Sequence, residues 1–292
     1  MSVADTVVLV SPRARRRRLL RRRLLRRPAA VASLVVILVF LVTAVFAPVI
    51  APESAGATHF DPLLGHPSWR HLLGTDELGR DVFSRLVWGA RASMQVGFAS
   101  TLLAMVVAVP LGLLAGYYRG WTDAVVARGA DVMLSFPFVI LAIGLGAILG
   151  PSLKTVTIAL GVAAVPGVIR IARGETLALR EADFVSAAVA NGAGDARIIF
   201  RHILPNMTSA LLVQATVIIP RAIIGEATLS FLGLGVRPPG SSWGIMLQNA
   251  QAYWSQSPRL AIYPGVAIVV AALAFNLLGD GLRDVFDPRT TR

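Results

Sequence analysis

The chain has 292 residues, 55% of them hydrophobic, and a formal net charge of +12. That apolar content exceeds what one soluble core takes up, which excludes an ordinary soluble domain. There is no cysteine, so disulfides, thiol catalysis and cysteine-ligated metal are excluded as well.

Ten of the 28 basic residues are arginines between Arg13 and Arg27, and the remainder of the chain is nearly balanced. No aromatic platform or base-reading helix accompanies the cluster, so nucleic acid is not its partner. Directly after it comes an uncharged apolar stretch, 28–50. About 20 residues at 1.5 Å each cross the ~30 Å hydrocarbon layer, so this stretch spans. Arginines abutting a span attract anionic lipid headgroups and place the N-terminus in the cytoplasm. A cleaved signal peptide, with Ala47 or Ala51 at the cleavage site, is the competing reading. The run is too long for that and further spans follow, which predicts an uncleaved first helix.

The next segment, 52–90, carries three arginines against five acids and reads as an outer loop. His59, His66 and His71 lie there near Asp61. Their irregular spacing with intervening prolines reads as solvated loop rather than a metal site. Gly74, Thr75 and Asp76 supply turn and cap chemistry that would order the loop.

Five more apolar stretches follow, at 93–117, 124–149, 155–171, 207–236 and 260–282, giving six spans with both termini on one side. The basic residues Arg119, Arg128, Arg170, Arg173, Arg180, Arg197, Arg201, Arg283, Arg289 and Arg292 fall on that same side, which agrees with the positive-inside bias. The last five stretches each contain a proline, Pro110, Pro137, Pro166, Pro220 and Pro264. In lipid the freed carbonyls must be satisfied by neighbours or water, so these kinks suit either a tightly packed bundle or one that encloses a cavity and rearranges.

Within the fifth stretch, Arg221 and Glu226 are ionisable groups at membrane depth, where such residues face a cavity or one another. Their separation of five is one off the helical contact spacing, so a direct pair needs distortion near Pro220 or a partner on another chain. A structural role at a subunit interface is favoured over substrate contact. Ser230, Gly233 and Gly235 complete the pathway or interface candidates, since the glycine spacing allows close packing or a gate.

The segment 173–206 is too polar to span and too long for an ordinary connection, which marks it as functional. Residues 175–190 are helix formers, Asn191-Gly192 supplies a stop, Asp195 can cap a second short helix, and Pro205 restarts the chain. Ala187, Ala188, Gly192 and Leu204-Pro205 resemble, at the right spacing, the signature of ABC importer permeases: Glu-Ala-Ala, three residues, glycine, nine residues, Ile-x-Leu-Pro. Ser186 replaces the glutamate and His202 the isoleucine. The string LLGTDELGRDVFSRLVWGARASMQVG at 72–97 and SFLGLGVRPPGSSWG at 230–244 further resemble the dipeptide, oligopeptide and nickel permease family.

That resemblance implies an all-α polytopic protein with the six-helix type I importer permease fold, in a bacterial inner membrane. It implies an arginine-rich cytoplasmic segment at 1–27, a first helix with an extracytoplasmic loop at 28–90, a five-helix core at 91–283 and a cytoplasmic tail at 284–292. Ser186, Ala187, Ala188, Gly192, Gly194, Asp195, Leu204 and Pro205 become the ATPase-coupling set. No Walker lysine loop occurs in the chain, so ATP and Mg would be bound by two partner ATPase subunits and not here. A homologous second permease, an extracytoplasmic substrate-binding protein and membrane lipids complete the implied partners. The implied function is a non-enzymatic half-pathway moving peptides inward. An ion-coupled secondary transporter, or import of nickel or another small solute by the same family, is the alternative.

Overall fold

The structure is a computed structural model, and it describes residues 27–59 and 62–286. The arginine cluster before Arg27, Asp61, Arg289 and Arg292 lie outside the described residues.

Helix α1, Pro28–Val45, starts on a proline whose missing N–H costs nothing at a helix start. A short α2, Ala47–Ile50, follows a break at Phe46. Among its described residues the segment 51–81 contains no helix, and Asp81 then caps α3, Val82–Tyr118, by accepting from the Ser84 backbone N–H at 2.7 Å. This helix begins eleven residues before the expected stretch at 93. Its first turns carry Ser84 and Arg85, which interrupt the apolar pattern, yet both are buried beneath neighbouring segments.

The stretch expected as a single third span is two helices, α4, Gly120–Leu134, and α5, Phe138–Leu149, bent by 87°. Pro137 stands at the break, where it removes an N–H from the helical ladder and disfavours the α conformation of the preceding Phe136. Helix α6, Leu153–Arg180, is capped by Ser152, whose hydroxyl accepts from the Thr155 N–H at 3.0 Å. It continues past the expected end at 171, because the polar turns there have partners. Arg173 forms a two-pronged pair with Asp123, and Arg170 donates to Asp131 at 2.7 Å.

Helix α7, Asp183–Ala190, and the short α8, Asp195–Arg197, lead into a π-helical segment, Ile198–Ile203, and then into α9, Leu204–Phe231. The wide turn precedes Pro205, which has no N–H to continue the α pattern and crowds the carbonyl four residues back. Helix α10, Trp243–Ala250, and α11, Arg259–Phe286, complete the fold. Five helical stretches are long and apolar enough to cross a membrane among the described residues, and the count is six if the two arms of the bent α4–α5 pair together form one span.

Helices α3 and α6 share the most extensive contact. A Cβ on Gly112 would stand 2.5 Å from Ala172 Cβ, and one on Gly116 2.6 Å from Thr176 Cβ, so the two backbones touch along a small-residue seam. Farther along, Ser100 Oγ donates to the Thr157 carbonyl at 3.0 Å. The pair therefore packs as one unit. Near the described N-terminus Arg27 is paired with Asp284, so the start of α1 meets the end of α11.

Candidate functional site

The α6–α9 connection is built on a second small-residue device. Asn191 ends α7, and Gly192 follows at φ +76°, a conformation that disfavours any residue with a Cβ. Its N–H reaches the Val189 carbonyl at 2.8 Å, and the Ala193 N–H reaches Ala188 at 3.0 Å. Those two bonds form a Schellman close, and the Asn191 side-chain amide adds a third bond to the Ala187 carbonyl at 2.7 Å. Nothing lies within 4 Å of a Cβ built on Gly192. Backbone conformation, not space, therefore requires the glycine.

Helix α7 is seated by one residue. Val185 is buried with Leu113, Tyr117, Ala172, Ile198, Ile199, Ile203 and Met207. The rest of its surface faces outward, with Ser186, Ala187 and Gly192 exposed. Phe184 is 42% exposed, Val189 56% and Phe200 66%, so apolar side chains crown a polar connection. Gly194 precedes α8, Asp195 opens it, and Leu204 and Pro205 begin α9. The coupling residues expected from sequence thus occupy one connected surface at one end of the bundle.

Sequence reasoning missed what fastens that surface. Tyr117, at the end of α3, donates from its hydroxyl to Asp195 Oδ1 at 2.9 Å. The Arg180 guanidinium stacks over the Tyr117 ring, 5.6 Å from its centroid, and Arg119 pairs with Glu181. The connection is consequently tied to α3 as well as to α6 and α9, from which it is covalently continuous. An aromatic residue at the end of an apolar run was the only available signal.

At the opposite end of α9, Glu226 is fully buried within this chain. Ser93 Oγ of α3 donates to its Oε2 at 3.0 Å and Ser230 Oγ to its Oε1 at 2.6 Å. Gly233 ends α9 and Gly235 packs on Ser230, where a Cβ would come within 1.9 Å of its hydroxyl. Gly244 of α10 lies against Ala227 and Ser230, leaving 2.6 Å from a hypothetical Cβ to Ala227 Cα. These residues form a closed junction of α3, α9 and α10.

Arg221 is not part of it. The side chain is exposed and has no hydrogen bond or ion pair among the described residues. It lines a cavity of about 360 Å³ bounded by Met133, Leu134, Phe136, Phe138, Gln214 and neighbouring residues of α6 and α9.

The described residues of segment 51–81 are held by internal hydrogen bonds. Asp76 Oδ1 accepts from the Leu78 and Arg80 N–H groups, both at 2.9 Å, and its Oδ2 accepts from Arg80 Nε at 2.7 Å. His71 pairs with Asp81 at 3.1 Å, His59 with Glu53 at 3.1 Å, and His66 with Arg259 at 2.9 Å. The three histidines therefore have three different partners. Among the described residues no group of three or more could hold a metal ion.

Residues 108–292 match the family of binding-protein-dependent transport system inner membrane components, and 16–64 match the N-terminal transmembrane domain of oligopeptide transport permease C. The dipeptide transport system permease protein DppC of Alkalihalophilus pseudofirmus is 44% identical over 253 residues, covering 87% of this chain and 83% of that protein. The glutathione transport system permease protein GsiD of Pectobacterium atrosepticum is 43% identical, covering 87% and 84%. In solved structures, inward facing conformations of the MetNI methionine ABC transporter match with a TM-score of 0.55 at 22% identity, over 70% of this chain and 97% of that one, a likeness of fold.

Proposed function

The chain belongs to the binding-protein-dependent transport system inner membrane components, the multi-pass permeases of ABC importers, and from that premise we propose that it moves peptides inward as half of a heteromeric pathway. A similar permease supplies the other half. Two ATPase subunits, which bind ATP and Mg, dock on the α7 surface, and an extracytoplasmic binding protein delivers cargo to the opposite face. Both termini are cytoplasmic in this arrangement. The relatives named for dipeptide and glutathione transport support a peptide cargo.

The observation that carries the reading is the α7 surface itself. A short helix with exposed Phe184 and Val189, closed by Gly192 and bound to α3 through Tyr117 and Asp195, is suited to entering a cleft of another protein. When the ATPases close, they displace this surface as a body. The displacement reaches α6 and α9 through the chain and α3 through Tyr117, and the α3–α6 seam moves as one. Differential contact with two ATPase arrangements then biases access to the two sides.

The test is purification of the tagged chain from its native membrane in mild detergent, with mass spectrometry of what accompanies it. A second permease, ATPase subunits and a binding protein carrying a peptide are expected. Recovery of this chain without ATPases would refute the arrangement, and a binding protein holding a non-peptide solute would refute the cargo.

A further inference from the structure

The bend at Pro137 separates α4 from α5, and the cavity of about 360 Å³ occupies the gap. Met133, Leu134, Phe136 and Phe138 line it from the two arms of the bend, with Ala163, Ala164 and Gly167 of α6 behind. Gln214, Ile218, Arg221 and Ala222 close it from α9. Their spacing of four, seven and eight residues puts them on one helical face. The size lies at the lower end of the ~300–1,000 Å³ usual for small-molecule sites.

Arg221 is ten residues from the end of α9 at Phe231, or roughly 15 Å at 1.5 Å per residue, half the thickness of the hydrocarbon layer. An arginine at that depth is always charged and is tolerated where it faces water or a counter-charge. The cavity lining contains no acid. Gln214 is two turns away on the same face, and it too has no hydrogen bond among the described residues. One permanent cation, one neutral donor and an otherwise apolar wall are complementary to an organic anion with apolar side groups.

We propose that this cavity is a transit site for carboxylate-bearing cargo, with the Arg221 guanidinium engaging the carboxylate and Gln214 supplying a second donor. It rests on the peptide-importer reading above and names the part of the peptide recognised, its free C-terminal carboxylate. Guanidinium and carboxylate match geometrically as a two-pronged, charge-assisted pair, and the Phe136 and Phe138 rings accept apolar side chains. The site adds selectivity inside the membrane to whatever the delivering protein imposes.

The experiment reconstitutes the complete importer in proteoliposomes. It compares uptake efficiency, initial rate over KM, for one tripeptide with a free C-terminal carboxylate and with a C-terminal amide. Preference imposed by the binding protein is common to all permease variants, so the change in the acid-to-amide ratio between wild type and Arg221→Gln isolates this residue. Loss of a charge-assisted pair predicts about a tenfold fall in that ratio. Arg221→Lys, which keeps the charge without the fork, should fall between them, and Gln214→Leu should lower the ratio by less. An unchanged ratio in Arg221→Gln overturns the site. So does loss of the second permease from the purified variant, which would make Arg221 a contact between permeases. If wild-type importer takes up neither peptide, the peptide reading itself fails and the inference with it.

Discussion

Arg221 and Glu226 are five residues apart on α9 and belong to different environments. At 3.6 residues per turn that separation turns the side chains about 140° apart, so one lines the open cavity while the other is enclosed by α3, α9 and α10. Distortion at Pro220 does not bring them together. Glu226 instead has serine hydroxyls as its partners.

Glu226→Ala should therefore act on stability before transport. It leaves buried hydroxyls of Ser93 and Ser230 without their acceptor, at about 1–3 kcal/mol, and should lower the melting temperature of the purified complex. Glu226→Gln keeps an acceptor oxygen and should lower it less. Equal melting temperatures for wild type and the alanine variant would contradict this role.

Gly244 gives an independent probe of the same junction. A methyl group there collides with Ala227 and Ser230, and overpacking of that kind costs about 1–3 kcal/mol. Gly244→Ala should lower thermal stability, whereas Gly265→Ala in α11, where nothing lies within 4 Å, should not.

Tyr117→Phe removes the bond to Asp195 but keeps the ring beneath Arg180. The bond contributes about 0.5–1.5 kcal/mol, too little to unfold the bundle. The variant should assemble with its ATPases and hydrolyse ATP while importing less peptide per ATP, measured as the ratio of uptake to phosphate release. A ratio equal to wild type would show that α3 is not driven through this contact.

Because the chain has no cysteine, single-cysteine labelling needs no prior substitution. Ser186→Cys and Trp69→Cys place one thiol on exposed α7 and one on a fully exposed side chain of segment 51–81. An impermeant maleimide applied from outside should label the Trp69 position alone. Labelling of the Ser186 position from outside would reverse the topology.

The six apolar stretches and the polar connection were readable because hydropathy and glycine-proline punctuation are local properties. Gly192 was legible as a stop, and the backbone conformation there supplies the reason. The start of α3 at Val82 was not legible, since Ser84 and Arg85 look like loop residues until segment 51–81 covers them. The break of the third stretch was underestimated because a proline inside an apolar run signals a bend without its angle. The Tyr117–Asp195 contact and the hydroxyls around Glu226 join residues 78 and 133 positions apart at the extremes. Pairings over such distances are set by helix packing, which no local pattern encodes.

The most direct test of the central claim is peptide uptake by the reconstituted importer, energised with ATP on the α7 side, in wild type and Gly192→Val. A Cβ at a left-handed position costs about 1–2 kcal/mol and deforms the close of α7. Wild type should accumulate peptide only with hydrolysable ATP, and the variant should remain in the membrane with uptake uncoupled from hydrolysis or abolished. Uptake that follows an ion gradient without ATP, or full ATP-driven uptake by Gly192→Val, would contradict the account.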